Sequence, residues 1–282
     1  SLLKIRRPVR PAKGAVAFVR VNMVGSPEIR IAQDQEGWAT TAATLVYEVG
    51  RQAVQNHGRC LLALSGGSTP ERLYRRLVHA RSTDRFDWAC CTFFFGDERC
   101  VPPDHPDSNF GLADRSLFRP LNIDVNHIHR MRGESPDPEL AARDYERLLR
   151  TTAGTMDGEW PQLDLVLLGL GNDGHTASLF PGTAAVDEHQ RWVTVGHAPS
   201  DPRTRLTLTL GVINRATVVL FLVTGAAKAH IVKTVLEPES DADRQLPSAL
   251  VHPTSGRVIW LLDPPAAAEL TGNGQGAHKR RS

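Results

Sequence analysis

Cys60-Leu61-Leu62-Ala63-Leu64-Ser65-Gly66-Gly67-Ser68-Thr69-Pro70 reads as a short apolar run that ends in a glycine-bearing turn. Five consecutive apolar residues suit a strand buried on both faces, as in parallel sheets, rather than one with a wet face. Pro70 suits the first turn of a following helix, where no amide donor is needed, and Leu73 and Leu77 continue that helix. Upstream, Trp38, Ala42, Leu45, Val46, Val49, Ala53 and Val54 recur at helical spacing. The pattern then repeats. Trp88 to Phe95, Leu163 to Leu168 and Thr217 to Val223 are further apolar runs read as buried strands. Ala226 to Leu236 reads as a helix, and Arg257 to Leu262 closes the set. Thr204 to Leu210 alternates and is rich in β-branched residues. Continuous apolar strands joined by helices predict an α/β fold, a mainly parallel sheet with helices on both faces.

Around this frame the 282 residues divide into an N-terminal extension over 1–27, a single α/β domain over 28–265 and a tail over 271–282. The extension is rich in Arg, Pro and Gly, with one apolar patch, Ala15 to Val21, able to hold an edge strand. The tail is too polar to order. Lys and Arg number 33 and Asp and Glu 31, a net charge of +2. That balance gives no general attraction to nucleic acid or to an anionic membrane. No apolar run approaches the ~20 residues of a membrane span, and no signal-peptide pattern opens the chain, so a cytoplasmic protein is expected, as a monomer or weak homodimer. Cys60, Cys90, Cys91 and Cys100 form no CxxC pair and read as buried thiols of a reducing compartment.

In parallel sheets ligands gather beyond the carboxyl ends of the strands, which directs attention to four loops. In the first, Gly66 and Gly67 let backbone approach a ligand, Ser68 and Thr69 offer hydroxyls, and the helix start presents unpaired amides. This suits phosphate or a plain capped turn; GxxxxGK[ST] spacing is absent. The second, Phe95-Gly96-Asp97-Glu98-Arg99, is a charged turn in which Arg99 suits an anion or a neighbouring carboxylate, and Asp97 a substrate hydroxyl. The third, Gly169-Leu170-Gly171-Asn172-Asp173-Gly174-His175-Thr176, contains a literal GxGxxG. A dinucleotide site would need an acidic residue ending the next strand, and the candidate strand Arg191 to Val195 is followed by Gly196-His197 instead. His175 two residues after Asp173 suits a general base with a carboxylate partner. The fourth comprises Arg203 and Arg205 at the start of the alternating strand and Lys228 in the first helical turn after Val223. A cation there opposes the helix dipole, and an anionic ligand would relieve it. His127 and His129 share one face of a strand but lack a third ligand type nearby, so no metal is expected. No G-x-S-x-G elbow occurs.

The loops Ser65 to Pro70, Phe95 to Arg99, Ser108-Asn109-Phe110, Gly169 to Gly182, Arg205-Leu206-Thr207-Leu208-Thr209 and Gly225-Ala226-Ala227-Lys228 together resemble the 6-phosphogluconolactonases, over roughly Ile29 to Asp263. The resemblance implies a Rossmann-like α/β fold shared with glucosamine-6-phosphate deaminases. It also implies hydrolysis of a phosphosugar lactone, 6-phospho-D-glucono-1,5-lactone, without a cofactor. It assigns the 6-phosphate to Gly66, Gly67, Ser68, Thr69, Arg205 and Lys228, with Arg99 beside them. His175 becomes the base and Asp173 its orienting partner, and Asn172 is a candidate oxyanion donor. Deaminases continue past the His with a pattern like DGHIAFNEPG; here Asp173-Gly174-His175-Thr176-Ala177-Ser178-Leu179-Phe180-Pro181-Gly182 has no Glu at that place. The competing readings are such a deaminase, or a non-catalytic sugar-phosphate sensor.

Overall fold

The computed structural model describes residues 16–20, 26–84, 86–156 and 158–271. The basic segment Arg6 to Arg10 and all of the 271–282 tail but Thr271 lie outside them. Strands in chain order are β1 (Val16–Arg20), β2 (Glu28–Ala32), β3 (Cys60–Leu64), β4 (Cys91–Phe95), β5 (Asp97–Arg99), β6 (Leu165–Leu168), β7 (Val193–His197), β8 (Thr204–Leu208), β9 (Val218–Val223) and β10 (Arg257–Leu262). Among the described residues seven form one sheet, ordered β1-β2-β10-β9-β6-β3-β4. Every pair in it is parallel except β1 on β2 at the edge.

The period-2 geometry of each strand sends alternate residues to opposite faces. Leu61, Ala63, Phe94, Val166 and Leu168 pack with the helix Pro138–Ala153 on one side. Leu62, Leu64, Phe93, Phe95, Leu165 and Leu167 pack on the other against the first two helices, α1 (Gln35–His57) and α2 (Ser68–Asp84). Helix α1 starts where the Asp34 side chain accepts from the Gly37 amide and stops at Gly58, whose φ of 78° is left-handed. No helix among the described residues is long and apolar enough to cross a membrane.

A second sheet, β5-β8-β7, is antiparallel and was not foreseen in the sequence. The Phe95 to Arg99 segment, read as a turn, bends at Gly96 and continues as β5. Gly96 donates to Leu64 O at 2.8 Å and accepts from the Leu208 amide at 2.8 Å. Other boundaries also shift. Asp87 accepts from the Ala89 amide and winds Trp88–Cys90 into a 3₁₀ turn, so the strand begins at Cys91. His127 ends another 3₁₀ turn, its Nδ1 at 2.9 Å from Cys91 O, and does not share a strand face with His129. Lys228 closes a 3₁₀ turn just before the helix Ala229–Leu236 instead of lying within it. All four cysteines are free, but only Cys60 and Cys91 are buried; Cys90 and Cys100 are partly exposed.

Candidate active site

Strand β3 pairs with β4 on one side and β6 on the other, so the winding reverses there and a crevice opens beyond the carboxyl ends of β3 and β6. A cleft of about 170 Å³ occupies that point, lined by Ser65, Asp97, Arg99, Asn109, Gly169 and His175 among others. Gly66 and Gly96 also line it.

His175 carries the clearest chemistry. Its Nδ1 lies 2.5 Å from Asp173 Oδ1, which also accepts from the His175 amide at 3.1 Å. That pairing fixes Nδ1 as the protonated nitrogen and leaves the lone pair of Nε2 free. Burial alone would raise the Asp173 carboxyl, but the His175 amide and the imidazole charge outweigh it and hold it below its ordinary range. The middle glycine of the GxGxxG match makes room for this pair. A Cβ at Gly171 would sit 2.0 Å from His175 Nδ1 and 2.6 Å from Asp173 Oδ1. The loop is pinned from outside. Thr176 Oγ1 donates to Gly169 O, and Ser178 Oγ donates to Asp97 Oδ2 at 2.6 Å. Ala177, which lines the cleft, is held at a φ of 48°, a strained conformation for a residue with a Cβ.

Arg99 and Arg205 are register partners across β5 and β8. Two like charges facing each other across strands are destabilising. Neither arginine forms an ion pair among the described residues. Arg205 is buried at 8% exposure and its Nε donates to Pro202 O. Burial, then the Arg99 charge, pushes its guanidinium below the ordinary range. Arg99 donates through Nη1 to Asp107 O. Lys228 is half-buried, and its Nζ donates to Asn172 Oδ1 at 2.7 Å. Desolvation lowers its pKa against the opposing pull of Asp173. The turn Gly67-Ser68-Thr69 is open, Gly67 at a φ of 103°, and Thr69 Oγ1 lies 3.0 Å from Thr224 Oγ1. That contact ties the turn to the segment carrying Lys228.

The structure thus brings Gly66, Asp97, Arg99 and His175 onto one cleft. Asp173 pairs with His175 and Asn172 with Lys228, Gly67, Ser68 and Thr69 stand at the helix start, and Arg205 is the register partner of Arg99. Two of these residues also have structural work. Gly66 is small because the Asn109 carboxamide occupies the space of a Cβ, its Oδ1 only 1.7 Å away. Asp97 uses Oδ1 for Asn109 Nδ2 and Oδ2 for Ser178 Oγ, joining three loops. Three residues escaped the sequence reading of the site. Glu98, 2% exposed, accepts from the Arg99, Asn109 and Phe110 amides and from Ser108 Oγ. The other two, Ser65 and Asn109, line the cleft. All three lie in loops that the sequence singles out, but their bonds are made between distant segments. Among the described residues no group of three or more His, Cys, Asp or Glu is placed to hold a metal ion.

A doubly covered parallel sheet, with an oriented histidine at its switch point, defines a Rossmann-like α/β protein. Residues 33–260 match the model of the family described as glucosamine-6-phosphate isomerases/6-phosphogluconolactonase, and the chain belongs to that family. It is 38% identical to a 6-phosphogluconolactonase of Nostoc sp. over 243 residues, 86% of this chain and 98% of that one. It is 42% identical to a 6-phosphogluconolactonase of Synechocystis sp., over 78% of this chain and 88% of that one. The solved 6-phosphogluconolactonase from Trypanosoma cruzi superposes with a TM-score of 0.76 at 31% identity, covering 88% of this chain and 98% of that one.

Proposed function

We propose that the protein hydrolyses 6-phospho-D-glucono-1,5-lactone to 6-phosphogluconate, with His175 as general base. The observation that carries the reading is the His175–Asp173 pair, which leaves Nε2 unbonded among the described residues, beside a cleft lined by Arg99. The Gly67–Thr69 turn, Arg205 and Lys228 hold the 6-phosphate, with Arg99 beside them, and anchor the ring for reaction at C1. Nε2 takes a proton from water as its oxygen bonds to C1. The oxyanion so formed takes Asn172 Nδ2 as a donor, the Oδ1 of that side chain being engaged by Lys228. Collapse breaks the bond from C1 to the ring oxygen, which receives the proton from Nε2. Asp173 keeps the imidazole in the required tautomer and stabilises it when charged.

Phe180 favours lactone hydrolysis over deamination. It stands where a deaminase-like pattern carries Glu, and its ring lies 4.4 Å from that of His175. No carboxylate assists the imidazole from that side. The reading is of a cytoplasmic enzyme, a monomer or weak homodimer with no nucleic-acid or membrane partner, whose working unit spans 28–265. The test generates the lactone in situ with a glucose-6-phosphate dehydrogenase at slightly acidic pH, where spontaneous opening is slow. It compares this lactone with unphosphorylated gluconolactone. Strong acceleration confined to the phosphorylated lactone is expected. No acceleration by folded protein would move the reading to a deaminase or a sensor, and equal acceleration of both lactones would remove the phosphate site.

A further inference from the structure

The strain at Ala177 sits in a tight reversal of the chain. Thr176 and Leu179 form an antiparallel bridge, and the Leu179 amide donates to Thr176 O at 3.0 Å. Ala177 and Ser178 are thus the two central residues of a turn. Ala177 takes its φ of 48° at the first of them, a place where hairpin turns usually carry glycine. That register sets the next pair outward, His175 and Phe180, opposite each other. Their rings meet at a centroid distance of 4.4 Å and an interplanar angle of 37°. Phe180 is buried, and the Thr183 amide and Oγ1 both donate to its carbonyl, at 3.2 and 2.8 Å. A strained residue persists where its surroundings over-determine it. Here Ser178 does so: its amide donates to Thr207 Oγ1 and its hydroxyl to Asp97, which fixes the far side of the turn.

The pairing of rings has a chemical consequence. A general base at His175 gains positive charge as it takes a proton from water. Asp173 answers that charge through Nδ1, but Lys228 lies in the field of the same carboxylate. The face of a phenyl ring is negative and attracts a cation within about 6 Å of its centroid. We propose that Phe180 is a positioning residue for the base: it holds the plane of the His175 ring while Asp173 holds its tautomer, and its face stabilises the imidazolium formed in the transition state. A neutral imidazole gains little from that face. The contact is therefore stronger in the transition state than in the ground state and acts on kcat. The charging step rests on the hydrolase reading; the holding of the ring rests on the turn geometry alone.

Graded fluorination of this one ring tests the charge. Replacing Phe180 by mono-, di- and trifluorophenylalanine drains the negative face while nearly keeping the shape of the side chain. The kcat for the phosphorylated lactone should fall stepwise along the series, with KM and the unfolding midpoint close to those of the wild type. Phe180→Leu, which removes the ring, should lower kcat about three- to thirtyfold, the reach of a cation–π contact. A flat kcat across the fluorinated series, a loss confined to KM, or an unchanged kcat in Phe180→Leu would overturn the stabilising role. NMR relaxation of the His175 Cε1–H bond tests the holding of the ring. The bond should be rigid in the wild type and mobile in Phe180→Leu, and equal order in both would overturn the positioning. If the wild type left the lactone untouched while the contrast in ring order held, the hydrolase reading would fall and Phe180 would still position the imidazole.

Discussion

At the amino-terminal edge of the parallel strands lies a groove of about 1150 Å³, and at the carboxyl edge the cleft of about 170 Å³. The groove is far larger, yet several of its polar groups are matched within the protein. His57 Nε2 lies 2.9 Å from Asp164 Oδ1, and Asp164 Oδ2 accepts from the Leu61 amide. Arg59 donates to Thr152 O and Ala153 O, and Gln52 donates to Asn56. None of the unpartnered buried side-chain atoms found among the described residues belongs to a groove residue. Three such atoms belong to residues that line the cleft, beside a strained alanine and an imidazole nitrogen with no hydrogen bond among the described residues. Size is the usual first guide to a site; here the oriented imidazole and an arginine with no ion pair among the described residues single out the smaller cleft.

The comparison breaks or sharpens under substitution at each end. His175→Ala should lower kcat by about 10²–10⁴-fold with little change in KM, the range of general-base catalysis; steady-state kinetics on the lactone measures it. Glu98→Ala should cost about 2–4 kcal/mol in urea unfolding, since it orphans three backbone amides beneath the cleft. Arg205→Ala should raise KM by about 10–100-fold, equivalent to the ~1.5–3 kcal/mol of a charge-assisted hydrogen bond, and leave an unphosphorylated lactone unaffected.

Asp173→Asn should lower kcat about tenfold by loosening the imidazole. It also carries a pH signature. A carboxyl titrating below its ordinary range contributes fully to folding above the unfolded pKa of ~3.9 and loses that contribution as pH falls through the folded value. The difference in unfolding midpoint between wild type and Asp173→Asn should be flat above about pH 5 and shrink below about pH 4. At the other end, Arg59→Ala should change kcat/KM by less than about twofold. A larger change would mean that the groove communicates with the cleft.

Much of this was legible in the sequence where local chemistry decides structure. The apolar runs that became β3, β4, β6, β9 and β10, the helix register of Trp38 to Ala53, and the placing of chemistry after strand ends all follow from periodicity and turn residues. What escaped depends on distant contacts. The three charged residues of β5 pair as a strand only because β8 presents Leu206 and its neighbours. Gly66 has a steric reason that lies in Asn109, and the free oxygen of Asn109 is defined by its bonds to Asp97. No local pattern encodes such unmet bonds.

The most direct test of the account is hydrolysis of 6-phosphogluconolactone above its spontaneous rate, by wild type and His175→Ala side by side, with circular dichroism confirming that both fold. The account predicts strong acceleration by wild type and almost none by the variant. Equal acceleration by both would contradict the assignment of the base to the carboxyl-edge cleft.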